Sequence, residues 1–183
     1  KVIEGGVTAA QGFLAAGLSA GIKKGNTKDM AMLYSKVPCE AAGTFTTNIV
    51  KAAPVKWDQK IVYESEKAQA VICNSGIANA CTGEEGFGCC KETAKAASLA
   101  LNIPEDSVLV ASTGVIGQQI PIEKIKKGIE NMAPLLSESI SAGTLAAEAI
   151  MTTDTVKKEI AVEVEIGGKN VTVGAVSYTH LRA

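Results

Sequence analysis

The chain has 183 residues, 18 basic and 19 acidic side chains and a formal net charge of −1. That length corresponds to roughly one domain of ~150 residues and is enough to bury a core without disulfide or metal staples. Hydrophobic residues make up 46% of the chain but aromatic ones only 4%, so the apolar content is mainly Ala, Val and Ile, joined by 18 Gly; intrinsic disorder is excluded.

In chain order, Val2 to Val7 reads as a short strand that ends at the Gly5-Gly6 turn. Ala15 to Ile22 leads to Lys23-Lys24-Gly25-Asn26, which has turn chemistry. Asp29 to Tyr34 is an apolar strand. Gly43 to Thr47 alternates weakly, with β-branched residues that favour another. Ala68 to Cys73 is a strand halted by Asn74-Ser75-Gly76. Gly88 to Leu101 is the clearest helix, with Ala94, Ala97, Leu99 and Leu101 on its apolar side and Asn102 and Pro104 closing it.

Ser107 to Val110 is a short β-rich run into Ala111-Ser112-Thr113-Gly114. Pro121 to Met132 is a second helix, since Pro suits a first turn and Ile122, Ile125 and Ile129 fall at helical spacing. Ser141 to Met151 is a third. Ile160 to Ile166 alternates, and Gly167-Gly168-Lys169 leads into Asn170 to Val173, a hairpin signal. Strands and helices mix without strict alternation, which gives an α/β or α+β class.

No basic run is long enough for a nucleic-acid footprint and few aromatics are present for base stacking, so no nucleic-acid partner is expected. No stretch approaches the ~18 apolar residues of a membrane span, and the first residues lack the apolar core of a signal peptide. A soluble, cytoplasmic protein is the expectation. Five cysteines (Cys39, Cys73, Cys81, Cys89 and Cys90) are odd in number and match no zinc spacing, so small buried thiols are expected and no metal site.

Three segments carry candidate chemistry. At Ser112-Thr113-Gly114, a glycine N–H and a Thr hydroxyl can together stabilise a developing negative charge; the alternative is an ordinary strand-ending turn. Thr152-Thr153-Asp154-Thr155 follows a helix, where hydroxyls and a carboxylate can bind a polar substrate or satisfy the helix's own end. Gly83-Glu84-Glu85-Gly86-Phe87-Gly88 is glycine-rich, but it lacks a P-loop Lys-Ser/Thr pair and two carboxylates repel an anion, so it reads as the approach to a helix. A Ser or Cys nucleophile of the usual kind needs a His, and the single one, His180, lies near the carboxyl end.

Five stretches occur in this order: KVIEGGVTAAQGFLAAGLSAGIK, EAAGTFTTNIVKAAPV, AVICNSGIANACTG, VLVASTGVIGQQIP and AIMTTDT. Together they resemble the bifunctional ornithine acetyltransferase / glutamate N-acetyltransferase family of arginine biosynthesis. The resemblance implies a precursor that cleaves itself into an α and a β chain, with a threonine at the start of β as nucleophile. It implies ping-pong transfer of an acetyl group from N-acetylornithine to glutamate, acetyl-CoA as a second donor in bifunctional members, no cofactor, and an α2β2 assembly. The new α-amino group, titrating near ~7.7–8.0, suits the role of base.

By the same resemblance, Thr113 and Gly114 form the oxyanion hole, Thr152 (or its neighbour Thr153) contacts substrate, and the fold is an α/β layered sandwich of two β-sheets between helical layers. Two departures stand out. Ile77 occupies a position where the family has Asn, which removes a polar group or marks a packing position. After Ala175, residues 176–183 replace the family's continuation toward its cleavage motif, Tyr178 stands where a substrate-binding Lys would be, and the nucleophilic Thr is not in the chain. The expectation is therefore an α-chain portion over residues 1–175 followed by a non-native tail, without acetyl transfer on its own. A non-catalytic module that binds a small anion or amino acid, or an inert fragment, is the alternative.

Overall fold

The computed structural model describes residues 1–65 and 67–177. Along them run β1 (Val2–Ile3), β2 (Phe13–Leu18), β3 (Met30–Glu40), α1 (Ala53–Glu64), β4 (Lys67–Ile77), α2 (Gly83–Leu101), β5 (Val108–Val115), α3 (Ile122–Met132), α4 (Ile140–Ala149), β6 (Lys158–Ile166) and β7 (Lys169–Ser177). They build an α/β fold with two sheets, one of order β2-β3-β4-β5 and one of order β1-β6-β7. Every pairing is antiparallel except β4 with β5. Parallel neighbours require a crossover, which α2 supplies.

Period-two alternation gives the four-stranded sheet two different faces. Met30, Met32, Ile72, Val108 and Val110 point toward α1, α2 and α3, where they meet Trp57, Cys90, Ala94, Ile125, Ile129 and Met132 in the main core. On the opposite face Ala15 and Ala31 pack under Ala146, Ala149 and Ile150 at and just beyond α4, with Leu33, Cys73 and Val176 beside them. Small residues let backbones approach: a Cβ at Gly17 of β2 would strike the Leu145 carbonyl of α4. The low aromatic content is a consequence of this close packing.

The outer edge of β5 is covered by α1. Trp57 Nε1 donates to the Val108 carbonyl (2.9 Å) and the Val110 N–H donates to Asp58 Oδ1 (2.8 Å). Backbone groups that would otherwise offer a template for a foreign strand are thereby occupied. Burial pushes the Asp58 carboxyl up to about 7, with the Val110 hydrogen bond opposing the shift.

Several elements differ from the sequence expectation. The first strand covers Val2–Ile3 only, because Val7–Ala9 turns into a 3-10 helix whose buried Thr8 donates to the Ser139 carbonyl. Residues 43–47 form no strand; their β-branched side chains meet no neighbouring strand, and β-propensity without a partner is weak. Helix α1 has no counterpart in the sequence reading: it has no side-chain N-cap, although Pro54 sits in its first turn. Helix α2 starts at Gly83, so the glycine-rich segment is its first turn. Within α2 the apolar stripe is Cys90-Ala94-Ala97, and Leu99 is 75% exposed, a quarter-turn or more off that stripe.

Helices α3 and α4 and the β6–β7 hairpin fall where expected. Gly167 and Gly168 both have positive φ (57° and 75°), the two-residue turn that suits twisted antiparallel strands. Strand β7 continues through Val176 and Ser177, which pair with Glu159 and Lys158. Tyr178 and His180 lie outside the described residues. All five cysteines are free; Cys89 and Cys90 are buried, Cys39 and Cys73 half-buried, and Cys81 is exposed, contrary to the expectation of uniform burial. Burial pushes the Cys73 and Cys90 thiols up to about 12, so both stay protonated. Among the described residues no helix is long and apolar enough to cross a membrane.

Candidate active site

The candidate site lies where β4 and β5 end side by side. Their register aligns Asn74 with Ser112, Ser75 with Thr113 and Gly76 with Gly114. Both strands therefore close with the same pattern, an apolar run, two small polar residues and a glycine. That duplicated ending is the signal in the sequence that could have located the site, since only parallel, in-register strands bring the two endings together. Instead, Asn74-Ser75-Gly76 read as a strand stop, whereas β4 runs through it to Ile77.

The two glycines are needed for this closeness. Gly114 has φ +133° and Gly76 has φ +105°, a region that L side chains rarely adopt. A Cβ on Gly114 would collide with the Gly76 carbonyl. The strand ending is braced on the polar side as well. Ser112 Oγ donates to Asn74 Oδ1 (2.6 Å), and Asn74 Nδ2 donates to the Ile77 carbonyl (2.9 Å). Ile77 itself packs against the main core, which favours the packing role at this departure from the family pattern. Thr113 is half-buried and Gly114 exposed. Among the described residues the Thr113 hydroxyl takes no partner.

Thr152 is 39 positions further along the sequence but belongs to the same corner. Helix α4 ends against β4, with Ser75 Oγ donating to the Ala149 carbonyl. Lys23 reaches across from the β2–β3 connection and donates through Nζ to the Met151 carbonyl (2.6 Å), the residue before Thr152, and to the Lys28 carbonyl (3.0 Å). The Lys23 stem lies against Gly76, its Cγ 3.2 Å from where a Cβ would stand. At the end of α4 the Ala146 and Glu148 carbonyls accept from the N–H groups of Ile150 and Met151 and the Ala149 carbonyl from Ser75, while Lys23 takes the Met151 carbonyl just beyond the helix. The hydroxyls of Thr152, Thr153 and Thr155 are not used to cap that helix end, and all three residues are exposed. Asp154 pairs with Lys158 instead.

Asp29 supports this arrangement from below. Fully buried, its carboxylate accepts from the N–H groups of Ala20 (2.7 Å), Ile22 (2.6 Å) and Lys23 (2.8 Å), while its own carbonyl accepts from Ser75 N–H (2.8 Å). A carboxylate with three backbone donors tolerates burial because each donor replaces lost hydration. Burial lowers the Lys23 pKa, and the Asp29 charge opposes that shift.

The structure therefore brings Thr113, Gly114 and the Thr152 segment to one corner and adds Lys23, Asp29, Ser75 and Gly76, which sequence reasoning missed. An apolar groove of about 460 Å³ lies elsewhere, between the two sheets, lined by Phe13, Leu14, Leu33, Val71, Leu109 and Val173. It contains none of the expected site residues.

A glycine N–H and a half-buried hydroxyl at the end of a parallel strand pair could together stabilise a developing negative charge, because such donors are fixed before the charge forms. Comparison with known proteins identifies the family. The sequence model of the ArgJ family matches residues 14–178, and the chain belongs to that family. The arginine biosynthesis bifunctional protein ArgJ of Symbiobacterium thermophilum is 50% identical over 177 residues, covering 96% of this chain and 43% of the relative. That of Gloeobacter violaceus is 48% identical over 175 residues, with the same shares. The chain thus spans about two-fifths of the length of these relatives.

Among solved structures, ornithine acetyltransferase from Mycobacterium tuberculosis, complexed with ornithine, superposes with a TM-score of 0.91 at 41% identity. The ArgJ protein of Bacillus halodurans superposes with a TM-score of 0.90 at 39% identity. Each match covers 97% of this chain and 93% of the solved one. A rice relative, 43% identical over 178 residues (97% of this chain and 38% of the relative), is named as chloroplastic.

Proposed function

We propose that this chain is the amino-terminal part of an acetyltransferase that carries an acetyl group from N-acetylornithine to glutamate, and that residues 1–175 form its α-chain portion. The observation that carries this reading is the convergence of Thr113, Gly114 and the Thr152 segment at one corner of a chain of the ArgJ family. The nucleophile in this reading is the threonine that opens the β chain, supplied by the part of the family's length beyond the matched residues.

In the first half-reaction the threonine Oγ attacks the acetyl carbonyl, its proton passing to the threonine's own α-amino group. The carbonyl oxygen becomes an oxyanion that the Thr113 hydroxyl and the Gly114 N–H stabilise. The C–N bond then breaks, the α-ammonium returns the proton to the leaving amine, and ornithine departs with the acetyl group left as an ester. In the second half the glutamate amine attacks that ester and restores the threonine hydroxyl. Thr152 holds the substrate's polar end. Acetyl-CoA serves as a second donor in a bifunctional member, and two αβ pairs assemble as α2β2.

The test is to join this chain to the remaining length that its relatives carry and supply N-acetylornithine with labelled glutamate. Labelled N-acetylglutamate, formed together with a precursor that splits in two on a gel, is the expected result. An unsplit protein without transfer overturns the reading. The chain by itself is expected to show no transfer.

A further inference from the structure

Lys23, the last residue of the first family-like stretch, has been assigned no role above, yet it contacts the residue next to Thr152. Its ammonium has three donors and no acceptor, and two of them are engaged by the Lys28 and Met151 carbonyls. The cation stands just past the carboxyl end of α4, where the helix presents partial negative charge. Its own backbone N–H is held by the buried Asp29 carboxylate, which also orders the residues before it. The stem runs over Gly76, the partner of Gly114. A single side chain therefore touches both halves of the site: the strand pair that bears Thr113 and Gly114, and the segment that bears Thr152.

Other ties between these parts stop short of the segment. Ser75 reaches the Ala149 carbonyl, inside α4, and Lys28 pairs with Glu148 at a half-exposed position. Beyond Ile150 the chain enters a stretch in which Thr152, Thr153, Thr155 and Val156 are exposed, while the Asp154 side chain turns inward and pairs with Lys158. The Lys23–Met151 hydrogen bond ties the start of this stretch directly to the strand ends.

We infer that Lys23 is a positioning residue for acetyl transfer: its ammonium clamps the Met151 carbonyl so that Thr152 is presented to the substrate at a fixed distance from Thr113 and Gly114. The inference rests on the acetyltransferase reading above. Lys23 acts through the segment, so its loss loosens substrate binding while leaving the oxyanion donors in place.

The experiment compares Lys23→Met, Lys23→Gln and Lys23→Arg in the full-length enzyme, by steady-state kinetics with N-acetylornithine and by hydrogen exchange of backbone amides. Lys23→Met keeps the stem and removes the donors. It is expected to raise KM about tenfold, the size of one hydrogen bond to a charged group, with kcat changed less than about threefold. Amides of residues 151–156 exchange faster, while those of 112–115 keep their protection. Lys23→Arg, which also reaches carbonyls, recovers most of the KM. Lys23→Gln gives an intermediate value and supplies the answer if the Met variant does not fold.

Unchanged exchange at 151–156 overturns the clamp. Faster exchange with an unchanged KM overturns its role in presenting Thr152. Failure of the underlying reading looks different: Thr113→Ala then turns over as fast as the parent, whereas the exchange data still decide whether Lys23 holds the segment.

Discussion

The β4–β5 pair and the β6–β7 hairpin are both built from β-branched and small residues, yet their surroundings differ. Ile72, Val108 and Val110 of β4 and β5 are buried under α1 and α2, and the far edge of β5 is covered by Trp57 and Asp58. In the hairpin Ala161 is buried, while Ile160, Val164, Ile166, Val171 and Val173 remain exposed. The hairpin is local: alternation and a Gly-Gly turn set its register. The parallel pair is not local. Its two strands meet only because α2 crosses between them and packs down, so the geometry of its end is set by the whole core. A site that needs fixed donors is better served by the second kind of element, and the proposed donors Thr113 and Gly114 lie at its end.

This contrast can be broken by substitutions on either side. Gly114→Ala should have the largest effect on stability. It places a Cβ against the Gly76 carbonyl at a positive φ, and strain plus overpacking should cost about 3–5 kcal/mol in urea unfolding. A loss below about 1 kcal/mol would show that the strand ends can separate freely. Ile129→Ala in α3, which leaves a cavity beneath the same sheet, should cost about 2–5 kcal/mol by the same measurement.

A pH-confined effect is expected at Asp58. Its carboxyl titrates from an ordinary value of 3.8 up to about 7 when folded, so burial disfavours the charged form. The stability tied to that group is fully present below about 3.8 and is lost as pH rises through about 7. Asp58→Asn retains an acceptor for the Val110 N–H and cannot ionise, so its melting temperature should fall less between pH 5 and pH 8 than that of the parent. Parallel curves would place the Asp58 charge outside the stability balance. The smallest effect belongs to the hairpin: Val164→Thr preserves β-branching on an exposed face and should stay within about 0.5 kcal/mol of the parent.

The same contrast accounts for what could be read in advance. Helices α3 and α4 and the hairpin are spelled by local periodicity and turn residues, and all three fall in place. Thr113 and Gly114 could be singled out as candidate donors beside the reading of a plain turn, and Thr152 as a polar group after a helix. What joins them was not legible. Lys23 sits in a Lys-Lys-Gly-Asn turn that looks like any exposed connection, and Ser75 and Gly76 look like the end of a strand. Their roles come from partners 38 to 128 positions away: Gly114, the Ala149 carbonyl and the Met151 carbonyl. Residues 43–47 erred in the opposite direction, since β-branched residues without a neighbouring strand have nothing to pair with.

A chain of 183 residues is sufficient for one domain, and it does form a closed core between one sheet and three helices. Its relatives are more than twice as long, and the second sheet still exposes apolar side chains.

The most direct test of the central claim, that the β4–β5 ending stabilises the oxyanion of acetyl transfer, is the turnover number of Thr113→Ala in the full-length enzyme with saturating N-acetylornithine and glutamate. Loss of one such donor should lower kcat by on the order of 10²–10³, with KM nearly unchanged. A kcat equal to that of the parent would contradict the claim and remove Thr113 from the mechanism.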